Sequence, residues 1–284
     1  MNLDKIFLEP FIQNALAEDV GDGDHTSLST IPQGQQGKAK LLIKDSGIIA
    51  GIDVAIEIFK AVDASLKLEI LLSDGQSVKH GDIAFLVSGS VHSILKAERL
   101  VLNTMQRMSG IATKTNSIVK ILEGTNTKVL DTRKTTPGLR YLEKLSVKIG
   151  GGVNHRFGLY DMILIKDNHV DYAGGITNAI HSAQNYLKIN NIQIPVEIEV
   201  RNLQELMQVL EIGSVDRILL DNFDFPTLRK AVELINGSFV TEASGGITED
   251  NVLEYAKCGV DYVSMGALTH SVRSLDMSLK AINS

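Results

Sequence analysis

From about residue 110 onward, short apolar runs rich in β-branched residues alternate with polar or glycine-containing turns and with stretches in helical spacing. The predicted strands are Lys128-Val129-Leu130-Asp131, Met162-Ile163-Leu164-Ile165-Lys166, Val196-Glu197-Ile198-Glu199-Val200, Arg217-Ile218-Leu219-Leu220-Asp221, Phe239-Val240-Thr241-Glu242-Ala243 and Tyr262-Val263-Ser264-Met265. Between them Gln204 to Leu210 and Pro226 to Ile235 read as helices; in the second, Leu228, Ala231, Val232 and Ile235 share one face. This alternation predicts βα units around a parallel sheet. A full TIM barrel has eight strands, so the count predicts an α/β fold of the open, incomplete TIM-like kind.

The first hundred or so residues follow another pattern. Phe7 to Ala17 keeps helical spacing through Phe7, Phe11, Ile12, Ala15 and Leu16, and the loop Val20-Gly21-Asp22-Gly23-Asp24 ends it. Residues 38–91 are strand-rich, with turns at Asp45-Ser46-Gly47, Ser73-Asp74-Gly75 and His80-Gly81-Asp82 and a helix over Val54 to Ala61. That mixture predicts an α+β sandwich domain. A long helical stretch from about Ser93 to Leu122 then leads into the barrel. The expected boundaries are 1–110 for the sandwich and 111–269 for the barrel, with residues from about 270 to 284 packing back onto the sandwich. No Pro-, Gly- or Ser-rich linker divides them, so the two parts are expected to pack together.

Composition narrows the classes. The chain has 284 residues and a net charge of −6 at pH 7, which argues against a nucleic-acid binder held by phosphate neutralisation. An anionic ligand must meet a local basic pocket. One cysteine, Cys258, allows no internal disulfide or cysteine metal cluster and points to a reducing compartment. The start Met1-Asn2-Leu3-Asp4-Lys5 lacks the basic and apolar regions of a signal peptide, and no apolar run reaches the roughly 18 residues of a membrane span. The expectation is a soluble cytoplasmic protein with no membrane or nucleic-acid partner.

Five predicted strands end in, or run into, residues able to do chemistry: Asp131-Thr132-Arg133-Lys134, Lys166, Glu199, Asp221 and Ser244-Gly245-Gly246. In a βα barrel the C-terminal strand ends converge, so these side chains would share one mouth. From Asp131 to His169 the chain is locally basic. Lys144 and Lys148 there read as a solvated helix face, while Arg133, Lys134, Arg156 and Lys166 suit a small polyanion. Gly150-Gly151-Gly152, ahead of His155-Arg156, reads as a backbone anion cradle or as a flexible connection. The glycine turns Ser244-Gly245-Gly246-Ile247-Thr248 and Met265-Gly266-Ala267-Leu268-Thr269-His270 suit a phosphate on backbone amides, with Thr248 as N-cap and Glu249 and Asp250 in the first helical turn. Glu199 and Asp221 suit ribose hydroxyls or a Mg²⁺ shared with a diphosphate, or neutralise the basic mouth. Lys166 fits electrostatic binding better than a Schiff base, for nothing in the sequence supplies the apolar pocket that a nucleophilic amine needs. Asp22-Gly23-Asp24 lacks EF-hand spacing and reads as a turn and helix start.

Several runs together resemble the quinolinate phosphoribosyltransferase family: Ala17-Glu18-Asp19 with Gly23-Asp24-His25-Thr26, Ser109-Gly110-Ile111-Ala112-Thr113, Asp131-Thr132-Arg133-Lys134-Thr135-Thr136-Pro137-Gly138-Leu139-Arg140, Gly150-Gly151-Gly152 with His155-Arg156, Ile165-Lys166-Asp167-Asn168-His169, Leu220-Asp221-Asn222 and Gly266-Ala267-Leu268-Thr269-His270-Ser271. The resemblance spans essentially the whole chain in order. It implies an open barrel joined to an α/β sandwich. The implied activity converts quinolinate and phosphoribosyl pyrophosphate, with Mg²⁺, into nicotinate mononucleotide, pyrophosphate and CO₂ in NAD synthesis. On this resemblance Thr132, Arg133, His155 and Arg156 bind quinolinate, and Arg99 completes that pocket from the neighbouring subunit of a homodimer or larger assembly. Lys134, Lys166, Glu199 and Asp221 are the implied catalytic set, serving pyrophosphate, ribose hydroxyls and Mg²⁺. Ser244, Gly245, Gly246, Met265, Gly266, Ala267 and His270 line the phosphate groups. The rival readings are a substrate-shifted paralogue on this scaffold of the molybdenum-uptake type, a Lys166 Schiff-base lyase, and a non-catalytic phosphate-binding module.

Overall fold

A computed structural model describes residues 3–282; the ends of the boundaries given above, at 1–2 and 283–284, lie outside the described residues. In chain order the elements are α1 (Lys5–Val20), α2 (His25–Thr30), β1 (Gln36–Ile43), β2 (Gly47–Ile48), α3 (Ile52–Val62), β3 (Lys67–Ile70), β4 (Ser77–Val78), β5 (Ile83–Ser90), α4 (Val91–Ile121) and β6 (Lys128–Leu130). They continue with α5 (Arg140–Ile149), β7 (Ile163–Ile165), α6 (Asp167–Ala173), α7 (Ile176–Asn190), β8 (Val196–Val200), α8 (Leu203–Ile212), β9 (Arg217–Asp221), α9 (Phe225–Ile235), β10 (Val240–Ser244), α10 (Val252–Ala256), β11 (Tyr262–Ser264), α11 (Ala267–His270) and β12 (Met277–Ala281).

Contacts divide these elements into two compact units. The first takes residues up to 116, 135–151 and 268 onward. Its main sheet is antiparallel, in the order β12-β1-β5-β3. β12 joins the edge of β1 with Ala39 opposite Ala281 and Ile43 opposite Met277. Alternation in β1 sends Ala39, Leu41 and Ile43 inward, where they meet a core containing the edge-to-face pair Phe59 and Phe85, 5.8 Å apart. Asp24 opens α2 by accepting from the Ser27 amide, which makes the acidic Asp22–Asp24 stretch a helix start. The Ser109–Thr113 run is a packing device: Ser109 Oγ bonds the Ala50 amide at 2.9 Å and Thr113 Oγ1 the Ile48 amide at 2.8 Å.

The second unit covers 117–134 and 152–267. Its six strands are all parallel, in the linear order β6-β11-β10-β9-β8-β7. Strands β6 and β7, neighbours in sequence, therefore lie at opposite edges, and the barrel is open between them. A single bridge from Leu130 to Val153 extends the β6 edge. All five residues of β8 are buried, as expected for a strand covered on both faces. Asn202 and Asp224 cap α8 and α9 on the amides of Glu205 and Thr227.

By contacts, residues 111–116 and 135–151 group with the first unit, and Leu142 and Leu145 of α5 join its core. Two readings change on inspection. Lys144 is not on a solvated face: α5 is buried at every position from Leu142 to Val147, leaving Lys148 exposed. The helix after β10 does not start at Thr248. Asn251 Oδ1 accepts from the Thr248 amide, the intervening residues form a turn, and the helix begins at Val252.

Candidate active site

The parallel sheet brings chemistry-bearing residues to its C-terminal edge. Asp131 follows β6, Lys166 follows β7, Glu199 lies near the end of β8, and Asp221 and Ser244 end β9 and β10. Lys166 Nζ lies 3.1 Å from Glu199 Oε2, with the lysine side chain half-exposed and the carboxylate buried. Burial raises the pKa of Asp221, and the neighbouring Glu199 charge adds to it, against the pull of Asn222 and Lys166. Two crowded carboxylates and one ammonium thus occupy one corner of the mouth. The Lys166 side chain is half-exposed and ion-paired, unlike the desolvated amine that Schiff-base chemistry uses.

Beside this corner Asn222, at φ 55°, donates to Asp221 Oδ2 at 2.6 Å, and its amide reaches the Ser244 carbonyl at 2.9 Å. Gly245 follows at φ 95°, and a Cβ there would stand 2.2 Å from Asn222 Oδ1. Only glycine allows this close approach. The turn after β10 thereby locks to the residue after Asp221. Gly246 also has positive φ and is exposed, and Met265 is buried with its amide on the Leu130 carbonyl. Gly266 and Ala267 lead into α11.

Deeper in the sheet lies a charged layer where TIM-type barrels usually carry Val, Ile and Leu. His155 Nε2 stands 2.9 Å from Glu197 Oε2 and 3.5 Å from Glu242 Oε2. Glu242 is also held by Arg217 Nη1 at 3.0 Å, and the Arg217 guanidinium lies 4.8 Å from the Tyr262 ring centre. Both glutamates are buried. The 2.9 Å approach makes Glu197 and His155 a buried ion pair. Burial, followed by the Glu242 charge, pushes Glu197 up to about 7. Burial opposes a charge on His155, but the two glutamates outweigh it and raise the ring to about 9. The Arg156 amide pulls the other way, donating to His155 Nδ1 at 2.7 Å and favouring a lone pair there.

Asp131, fully buried, fixes the same loop: it accepts from the His155 amide at 2.8 Å and from Asn154 Nδ2 at 2.5 Å. Arg156 is half-buried, with Nη1 on the Met162 carbonyl. Burial and then the nearby Arg133 charge lower its pKa, which Glu197 and Asp161 offset. Arg133 itself is exposed, and its charge is felt at Arg156.

The second unit therefore assembles Thr132, Arg133, Lys134, His155, Arg156, Lys166, Glu199, Asp221, Ser244, Gly245, Gly246, Met265, Gly266 and Ala267. Arg99, exposed on α4, and His270, exposed at the end of α11 with Nδ1 2.7 Å from Ser271 Oγ, belong to the first. Both ring nitrogens of His155 face protein groups, Nε2 the Glu197 and Glu242 carboxylates and Nδ1 the Arg156 amide. Gly150 is neither an anion cradle nor a flexible link: it closes α5 against α4, where a Cβ would meet the Ala112 carbonyl oxygen at 2.5 Å. Sequence reasoning passed over Glu197, Arg217 and Glu242. Their signal was a pair of glutamates two apart in an apolar strand, which must share a face.

Comparison with known proteins agrees with this architecture. The profile of the quinolinate phosphoribosyl transferase N-terminal domain matches residues 24–109, and that of the C-terminal domain matches residues 111–280. Quinolinate phosphoribosyltransferase (decarboxylating) 1 of Nicotiana glauca is 48% identical over 288 residues, covering 96% of this chain and 82% of the relative. The chloroplastic nicotinate-nucleotide pyrophosphorylase (carboxylating) of Arabidopsis thaliana shows the same identity and coverage. The solved structure of nicotinate-nucleotide pyrophosphorylase from Francisella tularensis superposes with a TM-score of 0.92 at 38% identity, covering 99% of this chain and 98% of that one. The chain belongs to the quinolinate phosphoribosyltransferase family.

Proposed function

We propose that this protein transfers the phosphoribosyl group of phosphoribosyl pyrophosphate to quinolinate and releases pyrophosphate and CO₂, giving nicotinate mononucleotide for NAD synthesis. The observation that carries the reading is the Lys166–Glu199–Asp221 corner, Lys166 Nζ 3.1 Å from Glu199 Oε2, in the unit that also holds the half-buried Arg156 within range of the Arg133 charge. The two guanidiniums suit the adjacent carboxylates of a pyridine-2,3-dicarboxylate. The corner suits a sugar whose C1 turns cationic as its diphosphate leaves.

In this reaction the bond from ribose C1 to the pyrophosphate oxygen breaks and a bond from the pyridine nitrogen to C1 forms. Lys134 and Lys166 face the departing negative charge, while Glu199 and Asp221 accept from ribose hydroxyls and favour the positive sugar. The resulting pyridinium then draws in the electron pair left at C2 as its carboxylate departs as CO₂, and C2 takes up a proton. Holding the two reactants in line contributes roughly 7–11 kcal/mol. Thr132 lines the dicarboxylate pocket. Ser244, Gly245, Gly246, Met265, Gly266, Ala267 and His270 place backbone and polar groups for the phosphates.

The oxygen donors of Glu199 and Asp221 fit a hard divalent cation; burial and then the Glu199 charge raise Asp221, and a cation there would offset both. Mg²⁺ bound through the diphosphate near these residues would neutralise the leaving group. We further infer a homodimer in which Arg99 reaches the partner's dicarboxylate pocket; an exposed arginine on α4 supports this. Mixing Arg99→Ala subunits with Arg133→Ala subunits should then regain activity. A reducing compartment such as the cytoplasm fits the single buried Cys258. Among the described residues no helix is long and apolar enough to cross a membrane.

The deciding assay supplies purified protein with quinolinate, phosphoribosyl pyrophosphate and Mg²⁺ and follows both products. One CO₂ per nicotinate mononucleotide is expected. A folded protein that forms neither product refutes the reading in favour of a substrate-shifted paralogue.

A further inference from the structure

The charged layer beneath the mouth plays no part in the steps above, yet its members are connected to one that does. Tyr262, Arg217, Glu242 and His155 follow one another at 4.8, 3.0 and 3.5 Å, with Glu197 2.9 Å from the same imidazole nitrogen. The far side of the ring takes the Arg156 amide at 2.7 Å. We propose that Glu242 and Glu197 are positioning residues: from inside the barrel they fix the His155 ring, and through it they hold Arg156 in the orientation that meets a substrate carboxylate. The inference rests on the proposed function and assigns the layer to recognition of the dicarboxylate.

Three observations support it. Arg217 clamps Glu242 from below, so that carboxylate has a defined place under His155. Glu197 lies 2.9 Å from His155 Nε2, and its charge also reaches Arg156, where it offsets the repulsion from Arg133. Buried ion pairs are weak sources of stability compared with apolar packing, so a barrel interior built this way is better explained by the geometry it imposes.

The test compares the wild type with Glu242→Gln, Glu197→Gln and Arg217→Met. Each is assayed with one substrate varied at a time, and quinolinate binding is measured by titration calorimetry. Both Gln variants should raise the KM and Kd for quinolinate about tenfold or more, with the KM for phosphoribosyl pyrophosphate within about twofold. Arg217→Met should reproduce Glu242→Gln. A purely structural role would lower kcat through fewer active molecules and leave both KM values in place, which would overturn the proposal. Failure of both Gln variants to fold would assign the layer to stability and overturn it equally. A stoichiometric divalent ion retained by chelator-washed wild type but lost in Glu197→Gln would replace the ion-pair reading with a metal site. Wild type that binds quinolinate without turning it over refutes the proposed function, and the calorimetric comparison still decides the positioning role.

Discussion

Arg107 on α4 offers the sharpest energetic prediction. Its Nε and Nη2 reach Glu143 Oε1 at 2.9 and 2.6 Å, and Nη2 also donates to the Thr269 carbonyl at 2.8 Å and to Thr136 Oγ1 at 3.2 Å. Glu143 Oε2 takes the Thr136 amide at 3.1 Å. The glutamate side chain is 1% exposed and the arginine 29%. Arg107→Leu strands a carboxylate that cannot reach water, at a cost of about 3–5 kcal/mol. Glu143→Leu leaves an arginine that can turn to solvent, so its loss should be clearly smaller. The double variant should recover most of the Arg107→Leu deficit, since apolar replacement of a buried pair is often neutral. At about 2–4 °C per kcal/mol, Arg107→Leu should melt about 6–20 °C below wild type. Denaturant titration of all four proteins gives the cycle. A loss under about 1 kcal/mol for Arg107→Leu, or strictly additive effects, would refute the reasoning.

Two further outcomes concern the site. Arg133→Ala should lower kcat/KM for quinolinate about 30-fold or more, the equivalent of about 2 kcal/mol for an unpaired carboxylate; a change under about threefold in steady-state assays removes Arg133 from the grip. Gly245→Ala should destabilise by about 1–3 kcal/mol from its φ of 95° alone. It should also weaken phosphoribosyl pyrophosphate more than quinolinate, because the new methyl displaces Asn222 from Asp221; equal KM changes for both substrates would count against that linkage.

The parallel sheet was legible because each of its strands is a short apolar run that ends where chemistry begins; β8 and β9 fall on their predicted spans without a shift. Helix ends were less legible. Thr248 has cap chemistry, yet residues 249–251 form a turn and α10 starts at Val252 with Asn251 at its N-cap. Lys144 was misread because polarity suggested solvent while α5 is packed on all sides over Leu142–Val147. In the site, strand-end residues such as Lys166 and Asp221 announced themselves by position. Glu197 and Glu242 lie mid-strand, and their partner His155 is distant in sequence, so only the barrel reveals that they face one ring.

The barrel's charged interior also bears on how such a protein can be improved. Exchanging Arg217 and Glu242 together for apolar residues of similar size could stabilise the fold by about 1–4 kcal/mol, and a selection for heat tolerance alone would reward that change. Under the positioning role argued above, the same exchange would blunt substrate recognition. Thermal robustness and discrimination would then compete at the same pair of side chains, and a heat-adapted version of this enzyme would have to gain its stability elsewhere.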